Sequence, residues 1–263
     1  MKVSELIELL EEEAPSKDAL DWDNVGLLVG DGDWEVKSVY IALDATEDVI
    51  NRAIEKGADM IITHHPLIFS NLNRVVGTDY VGKRVIKLLE HDIACYAMHT
   101  NFDIHRMGHL AEKKLGLEHT IALDPVEIDG KEDVNVGIGR IGSLLNDPVT
   151  LREYARKVRE SFDLPYVRVY GDESQMVGTI AISPGSGKSE ISTALRAGAD
   201  VLVTGDIDHH SGIDAEAQGL AIIDAGHYGI EHIFIEHMAL LLKGKTALDV
   251  HTEEKSMPYW LSE

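Results

Sequence analysis

The sequence predicts an α/β protein built from two similar lobes. Three observations carry that class. Aliphatic, β-branched runs without polar alternation recur between helical segments, one helix–turn–strand unit occurs twice, and the chemistry-bearing residues gather where strands end. Apolar strands of this kind are covered on both faces, which is the layering of α/β folds. A chain of 263 residues is long enough for two such cores.

Leu6, Ile7, Leu9 and Leu10 repeat at helical spacing and stop before Pro15, giving a first helix with Glu5, Glu8 and Glu11 to Glu13 on its wet face. The segment from Asp21 to Gly30 reads as a loop feeding a short strand. There follow a strand over 36–43, a helix over 47–56 closed by Gly57, a strand over 60–63, a helix over 82–90 and a strand over 93–98. The second half predicts a helix over 151–162, a strand over 177–183, a helix over 189–197 closed by Gly198, strands over 201–204 and 220–224, and a helix over 231–242. The stretch from Glu118 to Asp147, rich in Asp, Gly and Pro, predicts a boundary loop. The chain thus divides into a lobe of residues 1–118 and a lobe of residues 119–263.

An internal echo supports that division. Residues 53–65 align without gaps on residues 194–206, with Ala53, Gly57, Ala58, Asp59 and Thr63 repeated as Ala194, Gly198, Ala199, Asp200 and Thr204. Later in each half a strand ends in a histidine followed four positions on by a carboxylate: His99 with Asp103, and His227 with Glu231. A helix–turn–strand unit is generic, but the paired endings favour a duplicated core.

Forty-six acidic against 24 basic residues leave a net charge of −22. That argues against nucleic acid as a partner, because such proteins gain affinity by neutralising phosphates with Lys and Arg. The single cysteine, Cys95, excludes an internal disulfide and lies in an apolar run where a buried, inert thiol is expected. The opening residues are not expected to act as a signal peptide, and no apolar run reaches the ~18 residues a membrane helix needs. The expected setting is the cytoplasm, without membrane contact.

In open α/β sheets ligands bind beyond the carboxyl ends of the strands. His64-His65, His99 to Asp103, Gly205-Asp206 with His209-His210, and Gly226-His227 with Glu231 all fall at such ends. Imidazole and carboxylate without cysteine suit an exchangeable or catalytic zinc, manganese or iron site better than a closed structural zinc. Consecutive histidines leaving a strand are expected to face opposite sides, so His64 and His65 could serve two ions, or one ion and one supporting contact. His227 and Glu231 can share one side of a helical turn. Ser183 to Ser189 imitates a phosphate-binding loop, but Ile182 stands where its first glycine is required, so that function is dismissed.

Taken together and in order, Trp22-Asp23-Asn24-Val25-Gly26-Leu27, Ala42-Leu43-Asp44-Ala45-Thr46, Thr63-His64-His65-Pro66, His99-Thr100-Asn101-Phe102-Asp103, Thr204-Gly205-Asp206 with His210, and Asp224-Ala225-Gly226-His227 with Glu231 resemble the Nif-three-like proteins, also called the GTP cyclohydrolase I type 2 family. The resemblance spans nearly the whole chain. It implies a Nif-three-like fold with a dinuclear metal site in the cleft between the lobes, to which the C-terminal part of the second lobe returns His227 and Glu231. The implied ligands of the two divalent ions are His64, His65, Asp103, His227 and Glu231, with His99 and His210 as neighbours that orient ligands or move protons. It also implies a toroidal homohexamer. His209 stands where an aromatic residue is usual in the family, and the long central insert of larger members is absent.

Two close divalent ions would lower the pKa of a bridging water and supply hydroxide near neutral pH. The expected function is therefore a metal-dependent hydrolase resembling GTP cyclohydrolase I type 2, acting on a nucleotide or related small molecule. The alternative is a metal chaperone or carrier that uses the same ligands without turnover.

Overall fold

Val39 to Leu43, Met60 to Ile62 and Ala94 to Met98 are almost wholly shielded, as befits strands at the centre of a sheet covered on both faces. In the computed structural model, which describes residues 1–260 and 262, these runs belong to the first of two units, Met1–Phe102 with Phe234–Ser256. Its sheet has the strand order Gly26–Val29, Ala94–Ala97, Met60–Thr63, Ser38–Ala42 and Asp249–Thr252. The last four are parallel and Gly26–Val29 is antiparallel. Helix Glu47–Glu55 starts where the Thr46 hydroxyl accepts from the Val49 amide, and Gly57, at φ +66°, follows its end. Val49, Ile50 and Ala53 of that helix, and Val85 and Leu88 of helix Tyr80–Glu90, pack with Tyr40, Ile61 and Cys95. Burying each large aliphatic among them stabilises the fold by roughly 1.5–3 kcal/mol. Burial pushes the Cys95 thiol up to about 12, so it stays protonated and inert.

The second unit comprises Asp103–Ile233 and Met257–Glu263. Its main sheet runs Leu117–Ile128, Lys131–Leu144, Thr179–Ser186, Val201–Gly205, Ala221–Asp224 and Arg168–Tyr170. Again three central strands are parallel, and an antiparallel edge strand, Arg168–Tyr170, lies beside the third.

The sequence echo is reproduced bond for bond. Asp59 Oδ2 accepts from the Lys37 and Ser38 amides, and Asp200 Oδ2 accepts from those of Gly178 and Thr179. Gly57 and Gly198 share a left-handed φ of +66° and +75°. In both units the aspartate thus ties the start of its strand to the start of the preceding parallel strand, and the glycine turns the chain into place.

Several expectations need correction. The stretch expected as a boundary loop is instead a long hairpin, Leu117–Ile128 with Lys131–Leu144, closed by Asp129-Gly130. Both turn residues have positive φ, +51° and +74°, the geometry whose twist matches a two-residue hairpin. The unit bounds also differ from a division at residue 118. Asp249–Thr252 pairs with Ser38–Ala42 in the first sheet, whereas Asp103–Leu115 belongs to the second unit as a π-helical turn, Asp103–Met107, followed by helix Gly108–Leu115. The expected helix over 231–242 is two helices, His227–Glu231 and Ile233–Lys245. Helix His209–Ala217 was not foreseen.

Candidate metal centre

The first unit assembles three imidazoles at the carboxyl edge of its sheet. His64 and His65 leave strand Met60–Thr63, and His99 leaves Ala94–Ala97. One ring nitrogen from each lies within 4.8 Å of the others. The ring centroids of His64 and His65 are 5.0 Å apart, so the consecutive histidines converge rather than diverge. Strand alternation stops at Thr63, whose hydroxyl donates to the His65 carbonyl at 2.8 Å and curls the chain there. His64 is fully buried against Phe102 and Phe234.

Within the second unit, one histidine and two carboxylates are grouped. Gly226, at φ +72°, lets the chain turn from strand Ala221–Asp224 into helix His227–Glu231. His227 and Glu231 then face each other one turn apart, with Nε2 and Oε2 separated by 3.0 Å. Asp103, on the π-helical turn, offers an oxygen within 4.8 Å of one from Glu231. The approach of Glu231 depends on Gly185: a β-carbon there would stand 2.3 Å from Glu231 Oε1.

Every one of these rings is fixed through Nδ1. His64 Nδ1 meets the Met98 carbonyl at 2.8 Å, His65 the Asp44 carboxylate at 3.0 Å, His99 the Asp23 carboxylate at 2.9 Å, and His227 the Asp206 carboxylate at 2.9 Å. An acceptor at Nδ1 holds the proton there and turns the Nε2 lone pair toward the site, the arrangement found around metal-ligating histidines. In that tautomer the His227 lone pair faces a carboxylate oxygen at 3.0 Å, a contact that a cation held by both groups would relieve. The donor set therefore fits divalent transition metals.

Asp23, Asp44 and Asp206 lay inside quoted motifs, yet sequence reasoning gave them no role. Burial alone would push the Asp23 carboxyl up; hydrogen bonds from His99 and from the Thr100 hydroxyl and amide outweigh it and hold it well below the usual carboxylate range. Asp206 sits at φ +57°, a conformation that Asp tolerates better than most residues. His210 differs from the other expected site residues. It is exposed at the start of helix His209–Ala217, its ring 5.2 Å from that of His209, and it joins none of the ligand groupings found among the described residues.

Residues 1–258 match the model of the Duf34/NIF3 (NGG1p interacting factor 3) family. A GTP cyclohydrolase 1 type 2 homolog of Clostridium acetobutylicum is 36% identical over 246 residues, spanning 93% of this chain and 90% of its own length. Another from Streptococcus pneumoniae is 39% identical over 249 residues, spanning 92% and 90%. Among solved structures, a Bacillus cereus protein related to NIF3 superposes with a TM-score of 0.91 at 26% identity, covering 100% of this chain and 99% of its own. Staphylococcus aureus protein SA1388 does so with a TM-score of 0.90 at 32% identity and the same coverage.

Proposed function

Since this chain belongs to the Duf34/NIF3 family, we propose that it is a metal-dependent hydrolase of the GTP cyclohydrolase I type 2 kind, acting on a nucleotide or related small molecule. His64 and His65 from the first unit, and Asp103, His227 and Glu231 from the second, hold two divalent ions of zinc, iron or manganese. The single observation that supports this reading is the acceptor at Nδ1 of each imidazole, which leaves Nε2 available to a metal ion. When bound, such a pair of ions lowers the pKa of water and so supplies a nucleophile near neutral pH.

The protein's own groups do the rest. Asp44 and Asp206 orient His65 and His227 and raise their basicity. His99, held by Asp23, presents Nε2 as a proton acceptor and then donor to a departing nitrogen. His210, exposed at the start of helix His209–Ala217, is assigned a proton-moving role. No helix among the described residues is long and apolar enough to cross a membrane. A cytoplasmic homohexamer is the assembly and setting proposed with this activity.

The test is turnover by metal-loaded protein. Protein carrying two ions per chain should consume GTP or another nucleotide and lose that activity on chelation. Loaded protein that leaves nucleotides and phosphoesters untouched, yet passes its ions to an acceptor, would replace the hydrolase with a metal carrier.

A further inference from the structure

Beside His65 the first unit opens a cleft of about 550 Å³. His65 and its partner Asp44 form one part of the lining, and the chain from Leu67 to Leu72 and the first turns of helix Tyr80–Glu90 form the rest. Two large aromatic side chains on it are exposed, Phe69 by 58% and Tyr80 by 69%. Apolar surface of this size left in a concave wall marks a binding surface. The Trp22 ring lies 6.0 Å from both Phe69 and His99, so the aromatic wall extends to the imidazole cluster.

Arg84 is the cation in the lining, and its guanidinium carbon stands 5.3 Å from the Tyr80 ring centroid. It is held over an aromatic face, an arrangement that keeps a planar fork oriented. The two carboxylates in the lining are hydrogen-bonded: Asp44 with His65 Nδ1 at 3.0 Å, and Asp79 with the Gly82 amide at 2.8 Å. The wall is built in place, because a β-carbon at Gly82 would meet the Val76 carbonyl oxygen at 2.5 Å.

We propose that this cleft selects the substrate of the metal site, and that the substrate combines a planar ring with an oxyanion. The ring stacks on Phe69 and Tyr80, and the phosphate or carboxylate binds the Arg84 fork. On the two-metal reading above, this places the reacting ring beside His65. Steering toward a chain of charge −22 is unfavourable for an anion, so a local cation backed by stacking is what recognition requires.

The experiment is calorimetric titration of the full-length protein, both metal-loaded and metal-stripped, with guanosine 5′-monophosphate and with orotate. Guanosine and inorganic phosphate serve as the ring-only and anion-only probes. Either anionic ring compound should bind at least tenfold more tightly than both partial probes; tighter binding of the monophosphate identifies a phosphate ester as the natural group, tighter binding of orotate a carboxylate. Arg84→Ala should weaken that binding roughly tenfold or more, Arg84→Lys less, and Phe69→Ala roughly tenfold, with metal content unchanged. The proposal would be overturned by guanosine equalling its monophosphate, by Arg84→Ala staying within twofold of the parent, or by no binding of either anionic ring by loaded protein. An Arg84→Ala or Phe69→Ala variant that alters the oligomeric state while leaving affinity intact would likewise overturn it and assign the wall to a subunit contact. Binding that survives metal removal in a protein without turnover would uphold the cleft while discarding the hydrolase.

Discussion

His99 and Asp23 are joined by a 2.9 Å hydrogen bond from ring Nδ1–H to a carboxylate oxygen whose side chain is fully enclosed. The other oxygen of Asp23 accepts from the Thr100 hydroxyl at 2.6 Å and the Thr100 amide at 3.0 Å, and that hydroxyl oxygen in turn accepts from the Leu20 amide. One carboxylate therefore ties the loop after the first helix to the histidine that the proposed chemistry uses.

The acid limb of stability should report this carboxylate. Its folded pKa lies below the unfolded value of about 3.9. The stabilisation it brings is therefore complete above about pH 5 and is lost as pH falls toward the folded value. Asp23→Asn should cost about 1–3 kcal/mol at pH 7 and flatten the decline between about pH 5 and 3. Urea unfolding at several pH values measures both. Equal slopes in parent and variant would contradict the assignment.

Asp206→Asn and Asp44→Asn remove a charge while keeping an acceptor for the ring. Asn tolerates φ +57° as Asp does, so the backbone at position 206 is undisturbed. Metal affinity should fall about 10- to 100-fold with melting of the metal-free protein nearly unchanged. Competition against a fluorescent chelator reads the affinity.

Gly185→Ala adds a methyl group 2.3 Å from Glu231 Oε1 at a φ of +82°. Backbone strain alone costs roughly 1–2 kcal/mol, and Glu231 must also move. The rise in Tm on adding manganese or zinc, expected where an ion binds only the folded chain, should shrink or vanish. A full rise in the variant would show that Glu231 has no part in binding.

Arg140 pins the long hairpin away from the metal ligands. It is 3% exposed and donates from Nε to Glu112 at 2.7 Å, and to the Asn135 and Thr120 carbonyls. Burial would push the Glu112 carboxyl up, but bonds from His109, Thr120 and Arg140 hold it down to about 2. Its contribution is thus present above about pH 4.3 and fades as pH falls. Glu112→Gln should destabilise by about 3 kcal/mol, since it leaves a buried guanidinium without its counter-charge, while metal content stays as in the parent. Denaturant unfolding and elemental analysis check the two halves of that statement.

The central strands were legible because burial on both faces writes an uninterrupted aliphatic run, as at Met60 to Thr63. The Gly57-Ala58-Asp59 echo was legible because the same hydrogen bonds demand the same residues at 198–200. Asp129-Gly130 carried a hairpin signal that was outweighed by the Asp and Gly content around it, since Gly139 and Gly142 lie inside a strand where the neighbouring chain passes too close for side chains. Strand Asp249–Thr252 was hidden because its pairing with Ser38–Ala42 spans most of the sequence. At the candidate site the histidines announced themselves, but Asp23, Asp44 and Asp206 did not. A carboxylate that orients a ring looks in sequence like any other in a chain with 46 of them.

The most direct measurement is elemental analysis of protein purified without added metal, beside the same analysis of Asp103→Ala. Close to two transition-metal ions per chain, falling to one or none in the variant, is the predicted result. Equal metal content in both proteins, or a parent that takes up no ions when offered zinc, iron or manganese, would contradict the two-metal centre.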